Sequence, residues 1–408
     1  MPNPWTHGDS SGANILTDAD RRYKEHINEL RQMFNDTFYN IRNYGAKIDG
    51  VTDDSEAIID CQDDVIADGY GGTIIFPKGH TKCENIPIKG GIRYMGVGGY
   101  SSIVSNITPG ARIFDTGFYN EGIDIGGFYF AGDGEAISNG CIGPLARYYI
   151  HDNMFNASLK ECVNAGLIIG VFERNQCGYV GASNPLGHRW LNVDASVPVP
   201  SIGNYNFNFF INNQFHKATS TYGMRFRYSQ AQFIRDNEIA GHIGTAPIYL
   251  SESFIADISG NWFEGNSSNY AVELATGSET MTDFSKNTFV DYGGASPFTS
   301  LAKINYVGSK INFTHNSLVG MSGKHYTDTS LGYDLQIGEK YDNYFYLTTD
   351  SIPDRIGLGG VHLFSGAGTP EGSVIASPGS QYMRTDGGTN TSRYVKETGT
   401  GNTGWVAK

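Results

Sequence analysis

Two glutamates, Glu238 and Glu264, occupy offset places in a motif that the chain repeats. The motif is apolar-x-x-Asn-x-apolar, built on Asn153, Asn175, Asn213, Asn237, Asn261, Asn287 and Asn316 at intervals of 22, 38, 24, 24, 26 and 29 residues. Glu238 follows its Asn by one place and Glu264 follows the next Asn by three. If each repeat is one coil, with ~4.8 Å between strands and ~3.3 Å per residue, the two carboxyls stand ~8 Å apart. That separation lies inside the ~6.5–9.5 Å range of an inverting glycosidase, where one carboxylic acid protonates the leaving oxygen and one carboxylate activates water. Trp262 lies between them in sequence and offers an apolar face to a sugar ring. In the preceding coil, His216 and Gln214 are positioned to bind hydroxyls.

Two further sets of residues could carry chemistry. Asp257 and Asp283 each precede their Asn by four residues in consecutive coils, so they stack ~5 Å apart. Carboxylates that close share a proton, recruit a cation or act as a retaining acid and nucleophile, unless one simply turns to a turn N–H. Arg225, Arg227, Tyr249, Glu273 and Lys303 fall on outward positions of a later strand. There an Arg could neutralise a uronate and a Tyr or Lys could exchange a proton, as a polysaccharide lyase requires. The 38-residue interval marks an inserted loop, 178–204, whose Arg189 and Trp190 are candidates for glycan contact. His7, His80, His242, His325 and His362 show no ligand-like spacing and read as surface or turn residues. No metal site and no cofactor is expected, since the five cysteines are scattered without a CxxC pair and read as small buried apolar residues.

A repeat of 22 to 29 residues is one coil of a β-solenoid. The residues flanking each Asn, such as Phe210 with Phe215 and Phe284 with Phe289, are expected to stack inside. Asn fits the turn because it tolerates left-handed backbone and because stacked amides can bond along the coils. Met224, Phe226 and Tyr228, Ile248 with Leu250, and Val272 with Leu274 predict a second inward strand per coil. Right-handed crossovers are the rule for parallel strands, so the expected fold is all-β, a right-handed parallel β-helix. The 53 glycines among 408 residues and the 17% charged content agree with many short strands joined by turns. Net charge is −13 with no basic run, which argues against nucleic acid. Neither a signal peptide nor a stretch able to cross a membrane is legible.

At the start, residues 17–36 read as a helix with Tyr23, Ile27, Leu30 and Phe34 along one seam, suited to self-association or docking. Next, Ile41–Tyr44 reads as a strand, Gly45–Gly50 as a turn, Thr52 or Asp53 as a helix cap, and Thr73–Phe76 as a buried strand. The stretch NIRNYGAKIDGVTDD…GGTIIFPKG, residues 40–79, resembles the opening of the pectate-lyase-like superfamily of parallel β-helices. Ile48 stands where that family usually has Gly, and His80-Thr81 departs from its usual ending. No lyase catalytic motif falls in this segment, and Asp49, Asp53 and Asp54 read as turn and cap residues.

The tail reads as a hairpin, Gln381–Thr385 and Arg393–Lys396, with a final Trp405. Its end, RTDGGTNTSRYVKETGTGNTGWVAK, resembles a terminal module of bacteriophage tail-fibre and tailspike proteins. Together these resemblances imply a tailspike: a homotrimer held to other tail or baseplate proteins by its N-terminus. It would act outside the host cell on a bacterial surface polysaccharide, which it hydrolyses. The alternatives are an adhesin that binds without turnover, a structural fibre segment, and a lyase. The expected organisation is an attachment helix over 1–38, a β-helix over 39–345 and a β module over 346–408.

Overall fold

The computed structural model describes residues 24–25, 38–69, 71–117, 120–138, 144–179, 188–194, 207–227, 231–251, 255–275, 281–290 and 361–408, with shorter strand segments between 300 and 358. Within these residues the chain winds into a parallel β-helix of three sheets, with twelve, twelve and ten strands. In each sheet the neighbours come from successive coils: Phe207–Ile211, Ala231–Arg235, Ile255–Ser259 and Met281–Ser285 run side by side in the first sheet. A short bend at each Asn leads into the second sheet, and a longer one into the third.

The bends explain the repeat. Each Asn is buried, and from Asn175 onward its Oδ1 accepts from both the backbone N–H and the side-chain amide of the Asn one coil before. Asn213 Oδ1, for example, lies 2.8 Å from Asn175 N and 3.2 Å from its Nδ2, while Asn213 Nδ2 donates to Phe172 O at 2.9 Å and to Asn237 Oδ1 at 3.0 Å. The ladder continues without a break from Asn153 to Asn316. The left-handed backbone is not at the Asn itself, as the sequence suggested. It falls one residue earlier, on Asp152, Arg174, Asn212, Asp236, Gly260 and Lys286. A preceding residue that turns the chain frees the Asn to tie the coils together.

Inside the coils, the residues flanking the Asn stack as expected. Phe130 and Phe155 lie 5.0 Å apart and nearly parallel, and Phe263 and Phe289 lie 4.7 Å apart. Phe172, Phe210, Phe215, Ile234, Ile239 and Ile258 are fully buried among them, as are Met224, Phe226, Ile248 and Leu250 of the third-sheet strands. Cys61, Cys83, Cys162 and Cys177 are free and buried.

The first coil differs from expectation in detail. A strand, Phe38–Asn40, comes first, and Ile41–Tyr44 is a 3-10 turn capped by Asn40. The α-helix spans Ser55–Ala67 with Asp54 at its N-cap position, because Thr52 and Asp53 belong to the strand Asp49–Asp53. The aspartates do serve turns: Asp54 accepts from the backbone of Lys47 and Ile48, and Asp49 from that of Val51 and Thr52. Ile48 has φ 56°, the left-handed region where a β-branched L-residue is disfavoured and a Gly would be unstrained. The helix buries Ala57, Ile58, Cys61 and Val65 against the first coil, and Gln62 donates to the Tyr94 hydroxyl at 3.2 Å.

The C-terminal module is a small separate sheet of five strands. Gln381–Arg384 and Arg393–Lys396 pair antiparallel, as the hairpin reading required, and Trp405–Ala407 adds to them. Phe364, Val374, Ala376, Tyr382, Tyr394 and Trp405 form its own core. Of the expected helix over 17–36, only Lys24 and Glu25 are described, and both are helical. The other residues of that segment lie outside the described ones, as do Cys141, His7, His325, Tyr228 and the side chains of Lys303 and His362.

Candidate functional site

The strands Gln214–His216, Glu238–Ala240 and Trp262–Glu264 are adjacent in the second sheet. Register aligns Gln214, Glu238, Trp262 and Thr288 in one row, and His216, Ala240, Glu264 and Val290 in the next. Glu238 and Glu264 are therefore one coil and two positions apart, the offset that the ~8 Å separation assumes. Trp262 is 39% exposed, and its Nε1 donates to Glu264 Oε2 at 2.8 Å. His216 Nε2 lies 3.2 Å from Glu238 Oε1, an electrostatic contact outside hydrogen-bond geometry. These five side chains share one solvent-facing surface.

Asp257 and Asp283 are in register on the first sheet, a different face of the solenoid. They are not equivalent. Asp257 is buried and bound by Arg235, with Nε at 2.6 Å and Nη2 at 2.5 Å from Oδ2. Burial, and then the charge of Asp257, pushes Asp283 above the usual carboxylate range. The carboxylate turned aside is thus Asp257, and it turns to a guanidinium.

The 178–204 interval is not a loop throughout. Its centre, Arg189–Asp194, is a third-sheet strand that pairs with Glu161–Asn164 and with Tyr222–Arg227, while residues 180–187 and 195–206 lie outside the described ones. This corrects the reading of Trp190, which is a core residue: it is fully buried, packs 5.5 Å from Phe215 and donates Nε1 to His216 O at 2.9 Å. A Cβ at Gly223 would lie 2.4 Å from the Trp190 ring, so that glycine makes room for the indole. His242 is likewise interior, hydrogen-bonded to Ser268 Oγ at 2.5 Å and Ser220 O at 3.1 Å, and burial drives its pKa down to about 4.

On the third sheet, Asn192, Arg225, Tyr249 and Glu273 form one outward row, and Arg227 follows two positions later beside Asp194. The Tyr222 ring packs 4.1 Å from that of Tyr249, tilted by 32°, and donates its hydroxyl to Glu273 Oε2 at 3.1 Å. The row extends backwards through Asn164 to Ser138, beside a carboxyl pair that the sequence reading missed. Glu135 and Glu161 are in register on consecutive coils. Glu135 is held below its ordinary pKa, against its own burial, by Ser138, Asn164 and Lys160. Burial pushes Glu161 up to about 7 although Arg189 Nη1 lies 3.0 Å from its Oε1, and its Oε2 has no partner.

A second unforeseen cluster lies on the first sheet. His151 Nε2 contacts Asp124 Oδ1 at 2.9 Å and its Nδ1 contacts Asp152 Oδ2 at 2.6 Å, and the ring stacks 4.0 Å from Tyr149. Arg93 Nε donates to the other oxygen of Asp124 at 2.9 Å, and Arg174 holds Asp152 through two 2.8 Å bonds. A Cβ on Gly126 would sit 2.5 Å from the imidazole, so the ring occupies space that a glycine leaves. Both clusters reach into the early coil where Phe128 stands at the ladder position instead of Asn, with no side-chain amide to bond along the stack but with its N–H donating to Asn153 Oδ1. Only the 26-residue interval from Glu135 to Glu161 could have signalled the first of them.

Among the described residues, no group of three His, Cys, Asp or Glu could hold a metal ion, and no helix is long and apolar enough to cross a membrane.

The molecule is a parallel β-solenoid of the kind that phage tailspikes carry. The chain is similar to the tailspike protein of Acinetobacter phage vB_ApiP_P1, with TM-score 0.63 and 19% identity over 76% of this chain and 59% of that one. It is also similar to the gp42 tailspike of Acinetobacter phage vb_AbaP_AS12, with TM-score 0.53 and 12% identity over 86% of this chain and 71% of that one. The chain thus spans 59% of the length of the first of these structures. No protein-family model and no curated protein matches it.

Proposed function

We propose that the chain is a phage tail protein that binds a bacterial surface polysaccharide for host attachment and hydrolyses it on the second sheet. The observation that carries this reading is the in-register group of Glu238, Trp262, Glu264, His216 and Gln214 on one exposed face of a tailspike-type solenoid. A sugar ring lies on Trp262. One of the two glutamates protonates the glycosidic oxygen as its bond to the anomeric carbon breaks. The other takes a proton from the water that bonds to that carbon, which inverts it. Gln214 and His216 hold hydroxyls in the neighbouring coil. The working form is a homotrimer joined to other tail proteins through its N-terminal segment.

Gel filtration of host surface polysaccharide before and after incubation tests the reading. Cleavage to short oligosaccharides that is lost in both Glu238→Gln and Glu264→Gln supports it, and full activity in both variants refutes the assignment. One observation favours the adhesin alternative: each glutamate already has a neighbour, Trp262 for Glu264 and His216 for Glu238. Polysaccharide that co-elutes with the protein at unchanged length would decide for binding without turnover. A product with a new ultraviolet-absorbing double bond would decide for a lyase.

A further inference from the structure

We propose that the polysaccharide is acidic and that Arg225 binds its carboxylate on the outer face of the third sheet, an inference that rests on the polysaccharide-binding reading above. The argument starts from the charges on that face. Its carboxylates have partners of their own: Glu135 has Lys160 at 3.3 Å, Glu161 has Arg189 at 3.0 Å, and Glu273 accepts from the Tyr222 hydroxyl at 3.1 Å. Arg225 is the cation left over. Among the described residues its one hydrogen bond is a long one, from Nη1 to Asn192 Oδ1 at 3.4 Å, and no carboxylate lies within ion-pair distance of it. A half-buried guanidinium with most of its N–H donors unused, in a chain of net charge −13, is an arrangement that a carboxylate ligand completes. Its planar fork matches a carboxylate through two parallel bonds, which a lysine cannot do.

The neighbours of Arg225 suit a sugar chain. On one side the next coil presents Tyr249 packed against Tyr222, an aromatic surface for the apolar face of a ring. On the other side come Asn192 and Asn164, joined amide to amide at 2.9 Å, which make that flank of the row polar. At ~4.8 Å per coil, the row from Asn164 to Glu273 covers ~19 Å along the solenoid axis. A glycan lying along that row would put its acidic sugar at Arg225 and flanking sugars on the Tyr and Asn positions.

The test uses the full chain and an array of bacterial surface polysaccharides. Each is immobilised in its native form and after carbodiimide activation and borohydride reduction, which turns carboxylates into alcohols. The polymers bound are expected to be acidic, and reduction should weaken binding at least tenfold. Arg225→Gln should weaken binding to the native polymer at least tenfold, with melting temperature and oligomeric size unchanged, and should no longer distinguish native from reduced polymer. Arg225→Lys should recover part of the affinity. Equal binding to native and reduced polymer, or an Arg225→Gln variant that binds as well as the parent, overturns this proposal and leaves the polysaccharide reading standing. A change of oligomeric size in Arg225→Gln would assign the residue to an interface between copies and also overturn it. Absence of binding to every polymer would remove the polysaccharide reading and this proposal with it.

Discussion

The asparagine ladder invites a direct test at Asn213, a middle member bonded on both sides. Truncation to Ala removes four side-chain hydrogen bonds: two accepted by Oδ1 and two donated by Nδ2. Not all of the former partners are stranded. Asn237 Oδ1 still receives the backbone N–H of residue 213, and Asn175 Nδ2 still donates to Ile150 O. One buried backbone group, Asn175 N–H, loses its partner outright, and Phe172 C=O loses its amide donor but stays in the first-sheet ladder. At about 1–3 kcal/mol for the unsatisfied N–H and about 0.5–1.5 kcal/mol for the lost bond to Phe172, the cost is about 1.5–4.5 kcal/mol. The control is Gln214→Ala, one residue along and half-exposed, expected to change stability by less than about 0.5 kcal/mol. Urea unfolding followed by far-ultraviolet circular dichroism compares the two, and amide exchange at Asn175 gives a local readout. If Asn213→Ala costs no more than Gln214→Ala and exchange at Asn175 is not accelerated, the ladder is not what holds the coils in register.

Other expectations follow from buried charge and space. Glu161 has a folded-state pKa of about 7, above its ordinary 4.5, so its contribution to stability is fully present below pH ~4.5 and is lost as pH rises through 7. Two and a half pH units correspond to about 3 kcal/mol, so Glu161→Gln should stabilise the protein by up to that amount at pH 8 and by almost nothing at pH 4, measured by urea unfolding. His151 is raised above its ordinary value by Asp124 and Asp152, against the opposing effect of burial. Its stabilisation is complete below pH ~6.5 and fades as pH rises through the folded value, a dependence that His151→Gln should erase from a melting-temperature profile. Gly126→Ala should push the imidazole off Asp124, cost about 1–3 kcal/mol and weaken the same pH dependence. Trp190→Ala should destabilise by about 3–5 kcal/mol in thermal unfolding, as expected of a core indole.

Much of the fold was legible because one residue type does one job at one interval. Asn153 through Asn316 mark the coils, and the residues two to three places away are the stacked interior. The register of Glu238 with Trp262, and of Arg225 with Tyr249, followed from that count. What the count could not give was which outward-parity positions are covered. Trp190 falls between two stretches rich in Pro and Gly, which look like loop, yet it fills the interior because Gly223 of the next coil leaves the space. Asp257 is buried at an outward position because Arg235 comes to it from the coil before. The Glu135–Glu161 pair and the His151 cluster each join the coil marked by Asn153 to the coil before it, where Phe128 stands in place of Asn, so the Asn count aligned only one side of each. The helix cap falls one or two residues later than expected, on Asp54, because Asp49–Asp53 forms a strand of the second sheet, a pairing that local propensity does not report.

The Ser55–Ala67 helix has a consequence beyond closing the core of the first coil. A stack of parallel strands has no intrinsic length: any coil can serve as template for another, and an uncovered end would accept the matching end of a second molecule. By laying Ala57, Ile58, Cys61 and Val65 across the first coil, the helix makes the solenoid countable, a rod of fixed extent rather than a growing filament. Charged substitutions at Ile58 and Cys61 that detach it should therefore turn a monodisperse protein into end-to-end polymers.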